Sequence, residues 1–109
     1  MRSILCFGEA LIDFHAEGID PHGYPRAFVP FAGGAPANVA VAVARLGGRA
    51  RFAGMLGSDL FGDLLLDNLR HAGVDTLDVT RTGEANTALA FVALDAHGER
   101  SFSFYRPPS

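Results

Sequence analysis

The sequence predicts an α/β domain on a parallel sheet, with a second, smaller sheet standing off it. Two observations predict this. Short apolar runs alternate with two segments of helical periodicity in the order strand, edge strand, helix, strand, helix, strand. The C-terminal segment then breaks that rhythm with two strands joined by a four-residue turn, which cannot continue a βαβ pattern.

Ser3–Gly8 (SILCFG) is a continuous apolar run ending at glycine, as expected of a parallel strand covered on both faces. Glu9–His15 follows without a clear turn and begins to alternate. Asp13 shares a face with Leu11 and His15, while Ile12 and Phe14 point the other way. A carboxylate there is either solvated or aimed at a ligand. Glu17–Arg26 holds Gly18, Pro21, Gly23 and Pro25 and reads as a loop. Ala27–Phe31 is a brief strand whose Pro30 implies an edge position.

The stretch Ala32–Gly48 (AGGAPANVAVAVARLGG) organises the chain. Gly33 and Gly34 let backbone approach a ligand where a Cβ would collide. Pro36 suits the start of a helix, and Asn38 falls in the first turn, where backbone donors are still free. Val39, Val43 and Leu46 recur at helical spacing and predict a buried helix that Gly47 ends. A ligand-contact loop and an ordinary strand-to-helix turn both fit Gly-Gly-Ala-Pro.

Arg49–Met55 predicts another parallel strand. Asp59 is the expected N-cap of a second helix, whose core stripe is Phe61, Leu64, Leu65 and Leu69. Ala72–Gly73 ends that helix, and Val74–Val79 leads towards a further strand. Asn86–Leu94 and Ser101–Arg106 then form a hairpin around Asp95-Ala96-His97-Gly98. Phe102, Phe104 and Arg106 line one face of its second strand, and Ser101, Ser103 and Tyr105 the other. With Leu11–His15 and Ala27–Phe31 this hairpin can build a lid. A parallel sheet of about three strands keeps a bare edge and an incompletely covered face, so the expectation is a truncated domain.

Composition narrows the function. The chain has 109 residues, is 49% hydrophobic and carries a net charge of −3, which gives no basic field for nucleic acid or an anionic membrane. Every basic residue is arginine, which excludes a Walker-type lysine or a Schiff-base lysine within this segment. The single cysteine, Cys6, sits in an apolar strand and reads as a buried thiol compatible with a reducing compartment. His15, His22, His71 and His97 lack ligand-like spacing, so no metal site is expected. No apolar run reaches the length of a signal peptide core or a membrane span, and the cytoplasm is the expected location.

The pieces FGEALIDF at 7–14, GGAPANVAVAVARLGG at 33–48, GMLGSDLFGDLLLDNLRHAGVDT at 54–76 and TALAFVALDAHGERSFSFYRPPS at 87–109 together resemble the ribokinase-like (PfkB) carbohydrate kinases, most closely the fructokinases. The resemblance implies a partial ribokinase-like doubly wound sheet with a small β-sheet lid, residues 1–109 forming the N-terminal sugar-binding part of the kinase domain. Lid strands are then expected near 10–16, 27–31, 86–94 and 101–106. It implies that Asp13 and Asn38 hydrogen-bond sugar hydroxyls and that Gly33 and Gly34 press backbone against the sugar. Phe91, Tyr105 and Arg106 are carried over as further substrate contacts. The complete enzyme would use ATP and Mg²⁺ to phosphorylate a sugar hydroxyl, a ketohexose being favoured, and the lid could join two copies as a homodimer. The family's catalytic Asp in a Gly-Ala-Gly-Asp motif and its ATP loops have no counterpart here, so the segment alone is expected to be inactive and to bind no cofactor. A 2-keto-3-deoxygluconate kinase is the alternative within the family. A non-catalytic carbohydrate-binding or lid-dimer module is the alternative outside enzymes.

Overall fold

The computed structural model describes residues 3–94 and 97–105. Along the chain run β1 (Ser3–Phe7), β2 (Leu11–Ile19), β3 (Pro25–Gly33), α1 (Ala35–Arg45), β4 (Arg49–Gly57), α2 (Leu60–His71), β5 (Val79–Thr82), β6 (Leu89–Leu94) and β7 (Arg100–Tyr105). They form two sheets. The first is three-stranded and parallel, in the order β1-β4-β5; the second is four-stranded, in the order β3-β2-β6-β7. This is the expected α/β class with a separate lid, and Pro30 lies on an edge strand, where its missing N–H costs no ladder bond.

The core lies between the parallel sheet and its two helices. Cys6 on β1, together with Ala50, Phe52 and Leu56 on β4, meets Ala37 and Ala40 of α1 and Leu65 and Leu69 of α2. Leu5, Phe7 and Met55 point the other way and are exposed. The helices therefore cover one face of the sheet and leave the other bare.

Helix α2 follows the local signals. Asp59 caps it by accepting from the Gly62 N–H, and its predicted stripe is buried or packed against the core. Helix α1 corrects the expected stripe. Val39 is 51% exposed and Leu46 88%, whereas Ala37 and Ala40 are buried. Small side chains let this helix lie close against β1 and β4; Val39 is turned aside, while Val43 of the expected stripe does pack against the core.

The expected loop 17–26 is also corrected. β2 continues to Ile19 and β3 begins at Pro25, paired Ile19↔Pro25, so this is a hairpin with a short turn. Asp20 makes the turn: its carboxylate accepts from the N–H groups of His22 (2.8 Å) and Tyr24 (3.0 Å). In the β6–β7 hairpin, strand pairing runs to Leu94↔Arg100, while Asp95 and Ala96 of the expected turn lie outside the described residues.

Candidate functional site

The Gly-Gly pair sits where the second sheet meets α1. Gly33 ends β3 opposite Leu11, and a Cβ built there would overlap the Asp13 carboxylate, whose Cγ would lie 2.9 Å away. Only a glycine lets that carboxylate lie flat against the β3 backbone. Gly34 has φ 98°, and its absent Cβ would stand 2.6 Å from the Glu9 carbonyl and 2.9 Å from the Ala10 Cα. It caps α1 with backbone alone; no side chain accepts from the first turn. Asn38 lies one turn into that helix, its N–H donating to the Gly34 carbonyl at 2.9 Å, and its side chain is exposed. Among the described residues, neither the Asp13 carboxylate nor the Asn38 carboxamide has a hydrogen-bond or ionic partner. The structure thus brings Asp13, Gly33 and Gly34 together, with Asn38 one helical turn away.

Strand register decides which other residues share that surface. Side chains of paired residues point to the same face, and successive ones to opposite faces. Asp13 pairs with Ala90 on β6, and Ala90 with Phe104 on β7. One face of the second sheet therefore carries Asp13, His15, Ala90, Val92, Phe102 and Phe104. The other carries Phe14, Phe28, Phe91, Ser103 and Tyr105. Phe91 and Tyr105 are not brought to Asp13; they belong to an aromatic cluster on the reverse face. Phe91 stacks on Phe14 at 4.9 Å and meets Phe28 and Tyr105 edge-on at 5.2 and 5.4 Å. That cluster joins the body of the fold through Phe14, which meets Phe61 of α2 edge-on at 5.5 Å. It floors an open hollow of about 910 Å³ whose wall is the segment 83–87. Arg106 lies outside the described residues.

A dense polar knot lies between the two sheets. The Asp59 carboxylate accepts from the Gly62 N–H (2.7 Å), the Thr87 N–H (2.8 Å) and the Thr87 hydroxyl (2.7 Å). The Thr87 Oγ1 in turn accepts from the Gly57 N–H at 3.1 Å. The Arg81 guanidinium donates twice to the Gly57 carbonyl (3.1 and 2.9 Å) and to Asp63 (2.7 Å). Burial opposes the charge on Asp59, but the bonds from Thr87 and Gly62 and the nearby Arg81 outweigh it and hold its pKa below the ordinary carboxylate value. Sequence reading found the Asp59 cap, which is local. It missed Thr87 and Arg81, and also Ala90 and Phe104 as neighbours of Asp13, because both depend on pairing between distant segments. Counting alternation outward from Asp13 finds them once the register is known.

No group of three or more His, Cys, Asp or Glu side chains among the described residues is arranged to hold a metal ion. No helix among them is long and apolar enough to cross a membrane.

Residues 1–109 match the family described as pfkB family carbohydrate kinase. A curated relative, Fructokinase-1 of Oryza sativa subsp. japonica, is 56% identical over 108 residues, covering 97% of this chain and 33% of the relative. The crystal structure of fructokinase from Xylella fastidiosa is similar at 69% identity and a TM-score of 0.90, over 98% of this chain and 33% of that one. Its structure with bound ATP matches at 67% identity and a TM-score of 0.89, over 98% of this chain and 34% of that one. The chain thus spans about a third of the length of the curated relatives it matches.

Proposed function

The chain belongs to the pfkB family of carbohydrate kinases, and from that membership we propose that it supplies the sugar-holding part of a fructokinase. The observation that carries this reading is the Asp13 carboxylate, laid against the bare Cα of Gly33 and left without a partner among the described residues. A carboxylate accepts two hydroxyl protons, and a carboxamide both donates and accepts. Asp13 and Asn38 therefore suit vicinal hydroxyls, while the Gly33–Gly34 backbone sits close against the ring. Phe104 shares the Asp13 face, where its exposed ring is offered to the C–H surface of the same sugar, and Ala90 lies buried between the two. Phe91 and Tyr105, on the reverse face, support the lid from behind. Fructose is the favoured acceptor because the relatives carry that name.

In the complete kinase the transferred group would come from ATP with Mg²⁺. The ATP-bound structure of a close relative supports the nucleotide. The residues of this chain do not fit either group: it has no lysine for a phosphate loop, and its described acidic residues form no metal-holding set. Its own contribution is to bind and orient the sugar, and by itself it transfers no phosphate. The whole enzyme is read as cytoplasmic and as a homodimer through the lid.

Calorimetric titration of the chain with D-fructose and with ATP tests this. Heat with fructose and none with ATP supports it; heat with ATP alone contradicts it. A chimaera joining this chain to the remaining two thirds of the Xylella fastidiosa fructokinase extends the test. Fructose-dependent ADP release is expected, and release with no ketose or aldose counts against the kinase assignment.

A further inference from the structure

We propose that Thr87, gripped by Asp59, is a positioning residue that fixes the register of β6 beside Asp13 and so shapes the sugar face; this rests on the sugar-site reading above. Thr87 is the one buried polar side chain among the described residues. On one side it is tied to three parts of the main fold. Its hydroxyl bonds Asp59 at the start of α2 and accepts from Gly57 at the end of β4. Through the Gly57 carbonyl the tie reaches Arg81 on β5. A Cβ at Gly57 would stand 2.6 Å from the Thr87 nitrogen, so the approach is close.

On the other side the chain runs from Thr87 directly into the second sheet. The next residue, Ala88, accepts from the Ile12 N–H at 3.1 Å, and the pairs Ile12↔Leu89 and Asp13↔Ala90 follow. Between Arg81 and Thr87 lies a segment with Gly83 and exposed Glu84 and Asn86, which cannot itself set a register. The grip on Thr87 can. A slip of one residue turns every side chain of a strand to its opposite face. Here it would replace Ala90, which is small and buried beside Asp13, with the bulkier Leu89 or Phe91 and crowd the carboxylate. Parallel pairing of only four residue pairs between β2 and β6 resists such a slip weakly, so an anchor outside the ladder is needed.

The test compares Thr87→Val, which keeps the shape and loses the hydroxyl, with Thr87→Ser, which keeps the hydroxyl. Fructose affinity is measured by calorimetry, and amide hydrogen exchange is followed at Ile12 and Ala90. Thr87→Val should weaken fructose binding about tenfold, equivalent to roughly 1.4 kcal/mol. It should also speed exchange at both amides, and Thr87→Ser should restore both readings. A Thr87→Val chain that melts earlier yet keeps wild-type affinity and exchange overturns the proposal, because the residue is then structural only. Where Thr87→Val does not fold, Arg81→Gln loosens the same grip at its partly exposed rim and is judged by the same two readings. If the wild-type chain takes up no fructose, the sugar-site reading fails on its own. The register claim is then decided by exchange alone: acceleration in Thr87→Val with recovery in Thr87→Ser supports it, and unchanged exchange overturns it.

Discussion

Asp13 and Asp59 are both partly buried carboxylates pressed against a glycine, yet their surroundings differ completely. Asp59 accepts three hydrogen bonds within 2.8 Å and has Arg81 nearby. Asp13 accepts none from the described chain. A carboxylate whose lone pairs are filled by its own backbone contributes to stability. One kept in place but unfilled leaves its acceptor capacity for something else. The two residues thus separate holding the fold together from holding a ligand, although the sequence shows both simply as aspartates.

The largest expected effect comes from removing the filled carboxylate. Asp59→Ala loses the helix cap and the charged hydrogen bonds to Thr87, and should destabilise the chain by on the order of 3 kcal/mol in urea denaturation. Asp13→Ala should do the reverse. It should weaken fructose binding by about ten- to a hundredfold on the strength of one charged hydrogen bond, and leave stability within about 0.5 kcal/mol. A large stability loss in Asp13→Ala would erase the contrast.

The two glycines sharpen it further. Gly34→Ala meets the Glu9 carbonyl at 2.6 Å from a φ of 98°, so it should cost roughly 2 kcal/mol in thermal or chemical unfolding. Gly33→Ala meets only the end of the Asp13 side chain, which can swing away. It should leave the melt nearly unchanged and lower fructose affinity about tenfold, because the carboxylate loses its placement.

The smallest effect is in acid. The folded pKa of Asp59 lies below its ordinary 3.8, so its stabilisation is fully present above that value and lost as pH falls through the folded pKa. Melting temperature followed downward from pH 5 should fall more steeply in the wild type than in Asp59→Ser, which caps the helix without titrating. Parallel curves would remove Asp59 as an acid-sensitive tie.

Legibility in the sequence follows the range of the interaction. The cap at Asp59, the stripe on α2, the edge placement of Pro30 and the division into two sheets rest on neighbouring residues or on turn chemistry, and all were readable. On α1 the helix is legible but only part of its buried face is, because Val39 and Leu46 match the helical period as well as Ala37 and Ala40 do. Only the close approach of α1 to β1 and β4 selects the alanines. The prolines and glycines of 17–26 suggested a loop, but cross-strand pairing carries β2 and β3 through most of it. Asp13 and the glycine pair were found because each is unusual where it stands. Ala90 and Phe104 were not, since nothing local marks them; their place beside Asp13 is a matter of register between strands far apart in the chain.

The most direct test of the account is calorimetric titration of D-fructose into the wild-type chain, Asp13→Ala and Tyr105→Ala, which probe opposite faces of one sheet. Binding lost in Asp13→Ala and retained in Tyr105→Ala is the expected result. Binding lost in Tyr105→Ala and retained in Asp13→Ala would move the sugar to the reverse face and contradict it.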